Sequence, residues 1–173
     1  LDYIRQNIKK ITQETSAHKV FEAINNFNET SEVRYVGGCI RKIIKKEEVD
    51  DIDLATNLIP TEVCDALKKN NINFYETGID HGTITAIIGD QKYEITTLRK
   101  DVSTDGRHAK VEFSLDWKDD SNRRDFSINA IYSDKDGNLF DPHDGKKDLE
   151  SGTVKFIGNP EERIQEDYLR ILR

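Results

Sequence analysis

A strand pattern that runs into two consecutive glycines, closely followed by a second strand carrying Asp51 and Asp53, leaves this chain few folds to choose from. Val33-Arg34-Tyr35-Val36 reads as a strand, Gly37-Gly38 as a turn, and Cys39-Ile40-Arg41 as the start of a helix. Glycine lets a backbone approach a phosphate closely, and a helix N-terminus favours its charge. Side chains alternate faces along a strand, so Asp51 and Asp53 point the same way. Two anions side by side repel unless a cation sits between them. A pair of magnesium ions would satisfy them and would drive phosphoryl or nucleotidyl transfer. Asp-x-Asp also occurs in surface loops and helix caps, so the pair alone leaves both readings open. A phosphate cradle beside a metal pair points to a nucleoside triphosphate.

The 173 residues suffice for one good-sized core, and 34% charged against 35% hydrophobic residues is the balance of a water-soluble chain. No apolar run is long enough to span a membrane or to act as a signal peptide. Cys39 and Cys64 lack metal-ligand spacing and read as free thiols of a reducing compartment, which predicts a cytoplasmic protein. A net charge of −7 argues against a surface that binds RNA throughout. The chain starts at Leu1 and its last helical pattern has no stop signal, so a fragment of a longer protein is expected.

Helices are predicted over 3–14 and 16–27, with Ser16 as N-cap and Val20, Phe21, Ile24 and Phe27 as an apolar stripe. Strand 33–36 leads into a helix ending near Ile44, and the carboxylate strand covers 49–55. Pro60 opens a helix with Val63, Cys64 and Leu67 inward; 71–76 is extended; 82–88 and 92–98 form a hairpin around Gly89-Asp90. Residues 99–119 read as a long polar connection, mobile without substrate, apart from a short Val111-Glu112-Phe113 piece. A helix over 120–131, a hairpin around Asp136-Gly137, a strand over 153–157 and a final helix opened by Asn159-Pro160 complete the reading.

Three further groups stand out. Glu94, in Tyr93-Glu94-Ile95, is either a third site acid or an edge acid facing water. Arg123-Arg124-Asp125-Phe126-Ser127-Ile128-Asn129-Ala130 places two arginines at a predicted helix start, where the macrodipole disfavours them, so an anion should compensate them. Arg124 and Asn129 would reach outward to a triphosphate or ribose, unless the segment is an ordinary surface helix. Asp167 and Arg170 can match the donors and acceptors of a nucleobase, or Glu166 and Arg170 can simply form a helical ion pair worth about 0.2–0.5 kcal/mol.

The order Gly37-Gly38-x-x-Arg41, Asp51-x-Asp53-x-x-Thr56, Arg123-Arg124-Asp125-Phe126-x-x-Asn129-Ala130 and Glu166-Asp167-x-x-Arg170-x-x-Arg173 resembles the class II CCA-adding tRNA nucleotidyltransferase and bacterial poly(A) polymerase family, from about Val33 to Arg173. The resemblance implies an α+β fold: a nucleotidyltransferase-type catalytic head with a mixed sheet flanked by helices, followed by the first helix of an all-α neck. Residues 1–32 would be an N-terminal helical segment, 33–158 the head and 159–173 the start of the neck. It implies template-independent addition of CMP and AMP to the 3′ end of tRNA from CTP and ATP by two-metal catalysis with Mg2+. The tRNA would be held mainly by C-terminal domains missing here. Asp51 and Asp53 would hold metal, with Glu94 as third acid. Gly37, Gly38, Arg41, Arg124 and Asn129 would hold the nucleotide, and Asp167 and Arg170 would read its base, with Arg173 nearby. Lys42 stands where the family usually has Asp, and the 99–119 connection, with Asp105-Gly106-Arg107, looks intact, unlike the shortened loop of CC-adding members. The alternatives are a poly(A) polymerase using ATP only and, in another class, a catalytically idle nucleotide-binding module.

Overall fold

Along residues 2–102 and 110–158, which the computed structural model describes, helices and strands interleave. In chain order they are α1 (Asp2–Glu14), α2 (Ala17–Asn25), β1 (Val33–Val36), α3 (Gly38–Ile44), β2 (Ile52–Thr56), α4 (Pro60–Lys69), β3 (Asn73–Gly78), β4 (Thr83–Ile88), β5 (Gln91–Thr97), β6 (Arg99–Val102), β7 (Lys110–Phe113), α5 (Trp117–Asn122), β8 (Tyr132–Ser133), β9 (Leu139–Phe140) and α6 (Gly145–Ser151), with a 3-10 turn at Ser127–Asn129 between α5 and β8. Seven strands form one mixed sheet in the order β3-β4-β5-β2-β1-β8-β9, and β6 pairs with β7 in a separate ribbon. Only β2 and β5 run parallel; every other named pair is antiparallel. The α+β class and the mixed sheet flanked by helices are those expected.

The period of two decides which face each side chain takes. Val33 and Tyr35 of β1, Ile52 and Leu54 of β2, Ile84 and Ala86 of β4, and Tyr93 and Ile95 of β5 join one core with Ile8, Val20, Phe21, Ile24, Ile40, Ile43, Val63 and Leu67 from α1 to α4. The residues between them face the other way. There Val36, Ala55, Leu98 and Tyr132 form a small second cluster with Trp117 and Phe140. Two buried tyrosines find partners for their hydroxyls in the N-terminal segment: Tyr35 bonds Thr12 Oγ1 at 2.7 Å, and Tyr93 bonds Ser16 Oγ at 2.6 Å. Ser16 precedes α2 as expected, but its hydroxyl is engaged with Tyr93 instead of capping the helix. The apolar stripe of α2 is buried at Val20, Phe21 and Ile24.

Four expectations change. The carboxylate strand begins at Ile52, not at residue 49, so Asp51 stands just before it and is exposed. The 99–119 stretch is not an aperiodic connection: β6, β7 and α5 occupy its described part, while 103–109 lie outside the described residues. The helix expected over 120–131 ends at Asn122. Beyond it the backbone pairs elsewhere, with Ser127 N donating to Lys155 O at 3.0 Å and Ile157 N to Asp125 O at 2.9 Å. Phe126 stacks on Phe156, ring centroids 4.7 Å apart. These cross-chain bonds replace the helical ones, and they reduce the strand expected over 153–157 to one bridge, Phe126 to Phe156. Arg123 and Arg124 therefore follow a helix end, where the macrodipole favours cations, and not a helix start.

Helix α6 was not expected, because Leu149 and Gly145 are its only buried residues and one apolar side chain makes no period. Asp141 caps it, its carboxylate accepting from Gly145 N at 2.7 Å and Lys146 N at 3.0 Å. Its first turn presses on the 3-10 turn: a Cβ at Gly145 would lie 2.0 Å from Ser127 O. Because backbone is the obstacle, Gly145→Ala should destabilise the fold by about 3 kcal/mol, at the upper end of overpacking costs. Chemical denaturation of the two proteins measures this, and equal midpoints would show that the turn yields.

Candidate active site

The face of the sheet opposite α1–α4 carries the acids. Asp53 on β2 stands in register with Glu94 on the parallel strand β5, and Glu94 in turn with Thr85 on β4. The alternation that buries Ile52, Leu54, Tyr93 and Ile95 in the core turns Asp53 and Glu94 outward together. Burial, then the neighbouring carboxyl of Glu94, then Asp51 push the Asp53 carboxyl up to about 6, and Arg124 opposes the rise only in part. Glu94 thus stands beside Asp53, and it is exposed.

A cleft of about 570 Å³ opens next to Asp53, lined by Gly37, Gly38, Arg41, Arg124, Asp125, Phe126, Ile128, Asn129 and Val154. Three segments supply it. The β1–α3 turn brings Gly37, whose φ of 73° only glycine adopts readily, and a Cβ there would meet nothing within 4 Å. The glycine is there for its backbone shape and leaves the floor open. Arg41, one turn into α3, donates from Nη1 to Asn129 Oδ1 at 2.7 Å. Asn129 donates in turn to Asp125 Oδ1 at 3.0 Å, and Phe126 N donates to the same oxygen at 2.7 Å. The post-α5 segment thereby fixes the arginine of the first motif through the asparagine of the third. Val154, 61% exposed, forms an apolar wall from the strand-like segment after α6.

Arg124 does not simply reach outward as expected. It lines the cleft while its Nε and Nη2 donate to Asp120 Oδ2 at 3.3 and 3.2 Å, and its Nε to Tyr132 Oη at 3.0 Å. Asp120 is buried at 1% exposure. Burial raises its carboxyl, but Arg124 and Arg123 outweigh that and hold it below the ordinary carboxylate value. Asp120, Tyr132 and Val154 were not singled out from sequence. For Asp120 a signal existed, since it lies three and four residues before the two arginines, the spacing of a helical ion pair. Thr56 of the second motif is structural, its hydroxyl donating to Glu32 O at 2.8 Å. Lys42 is paired with Asp50, ahead of β2, and is not among the cleft's lining residues. Asp167, Arg170 and Arg173 lie outside the described residues, as does the helix expected to carry them.

Among the described residues no group of three or more His, Cys, Asp or Glu side chains is set to enclose an ion. The donors present still suit one kind of cation. Magnesium is commonly held by one or two carboxylates, with water and substrate phosphate completing an octahedron. Asp53, which lines the arginine-bordered cleft, and Asp51, near enough to act on the Asp53 carboxyl, are hard oxygen donors of this kind.

The sequence comparisons agree with this geometry. The family model described as "Poly A polymerase head domain" matches residues 33–155. The "CCA tRNA nucleotidyltransferase 1, mitochondrial" of Homo sapiens is 47% identical over 146 residues, 84% of this chain and 34% of that protein. The "CCA-adding enzyme" of Enterococcus faecalis is 38% identical over 144 residues, 82% of this chain and 34% of that protein. Among solved structures, the Bacillus stearothermophilus CCA-adding enzyme in complex with CTP superposes with a TM-score of 0.79 at 28% identity, covering 91% of this chain and 37% of the other. The chain thus spans about a third of the length of these relatives.

Asp53 yields a pH prediction. Its folded value of about 6 exceeds the 3.8 of an ordinary Asp, so the unfolded state loses its proton first as pH rises. Stability of the metal-free protein should therefore fall between about pH 4 and pH 6 through this group. Asp53→Asn should remove that component and, after solvent screening, stabilise the protein by about 1–2 kcal/mol at pH 8. Unfolding midpoints of both proteins at pH 4 and pH 8 measure it; parallel pH dependences would exclude a strained Asp53 carboxylate.

Proposed function

The chain belongs to the poly(A) polymerase head-domain family, and from that premise we propose that it is the nucleotide-transferring part of a template-independent RNA nucleotidyltransferase, adding CMP and AMP to the 3′ end of tRNA from CTP and ATP. What supports the reading above all is the convergence on one cleft of Asp53, Gly37, Gly38, Arg41, Arg124 and Asn129, with Glu94 beside Asp53. The names of the human and Enterococcus relatives favour CCA addition over ATP-only polyadenylation, the runner-up that the family model's name keeps in view. An idle nucleotide-binding module would have no need to keep Asp53 ionisable beside Glu94 at the cost of mutual repulsion.

In this reading Asp51 and Asp53 hold magnesium. The chemistry supplied by bound magnesium is activation of the RNA 3′ hydroxyl and neutralisation of the departing pyrophosphate. Arg41 and Arg124 face the triphosphate and offset its charge, and the Gly37-Gly38 turn lets the phosphates approach the backbone. Asn129, fixed between Arg41 and Asp125, addresses the sugar. Val154 and Ile128 keep water from one side of the nucleotide. The protein's share of catalysis is positioning and charge placement. Asp167 and Arg170 read the base, with Arg173 next to them. The tRNA body binds outside the head. No helix among the described residues is long and apolar enough to cross a membrane. Free, buried Cys39 and Cys64 suit a reducing compartment, the cytoplasm of the initial expectation or the mitochondrion of the human relative's name.

The full-length protein, offered CTP and ATP separately with magnesium and tRNA lacking its 3′ end, tests the assignment. Incorporation of CMP, followed by AMP, is expected; AMP incorporation without any use of CTP would convert the reading to polyadenylation. Asp51→Ala and Asp53→Ala should each lower incorporation by at least on the order of 10²–10³-fold while leaving the circular dichroism spectrum unchanged. Near wild-type rates would remove the metal assignment. Asp167→Ala should relax rejection of UTP and GTP, because the uracil and guanine carbonyls no longer meet a carboxylate acceptor; the lost discrimination is roughly ten- to a hundredfold. Selectivity identical to wild type across four nucleotides would reduce that helix to ion pairing.

A further inference from the structure

The buried carboxylate of Asp120 is not required by any step of the reading above, and a buried ion pair is weak grounds for stability. Its two oxygens divide their partners. Oδ2 accepts from Arg124 Nε and Nη2 and, at 2.6 Å, from the Tyr132 hydroxyl. Oδ1 accepts from the backbone N of Arg99 at 3.1 Å and from Arg123 Nε at 3.4 Å. One carboxylate thus ties the cleft arginine to the first residue of β6, where the ribbon leaves the sheet. The Tyr132 ring meets Trp117 edge-on, centroids 5.7 Å apart, and packs against a tilted Phe140 ring at 5.8 Å. Packing fixes the ring, and the fixed hydroxyl both donates to Asp120 and accepts from Arg124 Nε at 3.0 Å.

We propose that Asp120 and Tyr132 are positioning residues that aim the Arg124 guanidinium into the cleft for a polyphosphate; this rests on the triphosphate reading of Arg124 given above. An arginine side chain has many rotamers, and a guanidinium left to find its own orientation loses affinity in ordering. A planar fork gripped along its Nε–Nη2 edge has one plane and one direction left. The aromatic cluster under Tyr132 is the rigid base to which that direction is referred.

The experiment measures binding of inorganic tripolyphosphate and of CTP to the full-length protein carrying Tyr132→Phe, Asp120→Asn, Arg124→Ala, or Arg124→Ala with Tyr132→Phe. Arg124→Ala should weaken tripolyphosphate binding by roughly ten- to a hundredfold, as expected for a lost charge-assisted contact. Tyr132→Phe keeps the ring and should weaken it by roughly three- to tenfold with an unfolding midpoint near wild type. In the Arg124→Ala background Tyr132→Phe should have no further effect, since its action runs through the missing guanidinium. Asp120→Asn should resemble Arg124→Ala if it folds, and Tyr132→Phe carries the test if it does not. An equal effect of Tyr132→Phe in both backgrounds, or none in either, would overturn the positioning role while leaving Arg124 its ligand. Unchanged binding by Arg124→Ala would overturn the triphosphate reading itself, and the positioning role with it.

Discussion

The strict alternation of β2 is the constraint from which the site follows. Ile52 and Leu54 are committed to the helix-covered core, so Asp53 has no choice but the opposite face. Parallel pairing with β5 imposes the same commitment on Glu94, because Tyr93 and Ile95 are buried on either side of it. A shift of one residue in the register would put a carboxylate into hydrocarbon and an isoleucine onto the cleft face, and the desolvation cost forbids it. The positions of the acids are thus held by the hydrophobic effect acting on their neighbours.

On that face two carboxylates live in opposite fields. Burial first, and then the acids around it, push the Asp53 carboxyl up. Asp120 has arginines around it, and its carboxyl is held down despite deeper burial. Between them runs Arg124, which faces Asp120 on one side and moderates Asp53 on the other. Under the proposed function this asymmetry suits a polyanion and its cations: carboxylates on one side of the cleft, and positive charge, already anchored, on the other. Because the anchoring is built before any ligand arrives, less reorganisation is left for the moment of binding.

Where apolar residues repeat with a clear period, the sequence was legible. The stripe of α2, the strand–glycine–helix unit of β1 and α3, and the β4–β5 hairpin fall where expected because burial and turn chemistry favour the same structure. The placement of Asp53 and Glu94 on one face was legible for a related reason, since each is a polar exception inside an apolar strand pattern. What misled was the stretch after β5. Its ribbon and its short α5 carry few buried side chains, and the backbone of 125–127 prefers bonds with 155–157 to a further helical turn. That preference is a property of distant residues and leaves no local trace. Asp120 did carry a local signal, its helical spacing to Arg123 and Arg124, but that spacing is common on surface helices and nothing local shows that the carboxylate is buried. Asp51 was placed on a strand that starts one residue after it, because a strand's first pairing partner leaves no mark in the local pattern.

The parallel pairing of β2 with β5 also orders events in time. Between the two strands the chain must complete α4, β3 and β4, so Asp53 and Glu94 meet only after a non-local closure. The antiparallel pairing of β1 with β2 and the β4–β5 hairpin can form from near neighbours, whereas this closure carries the loop entropy of everything between. A chain that has collapsed without docking β5 has the two glycines, Asp51 and Asp53 in place but not Glu94. The repulsion between Asp53 and Glu94 is then felt only once β5 has docked, so the acids weigh on this closure of the sheet and not on its early hairpins. Charge on the cleft face thereby sets the cost of a non-local pairing, which the buried neighbours of the two acids must meet.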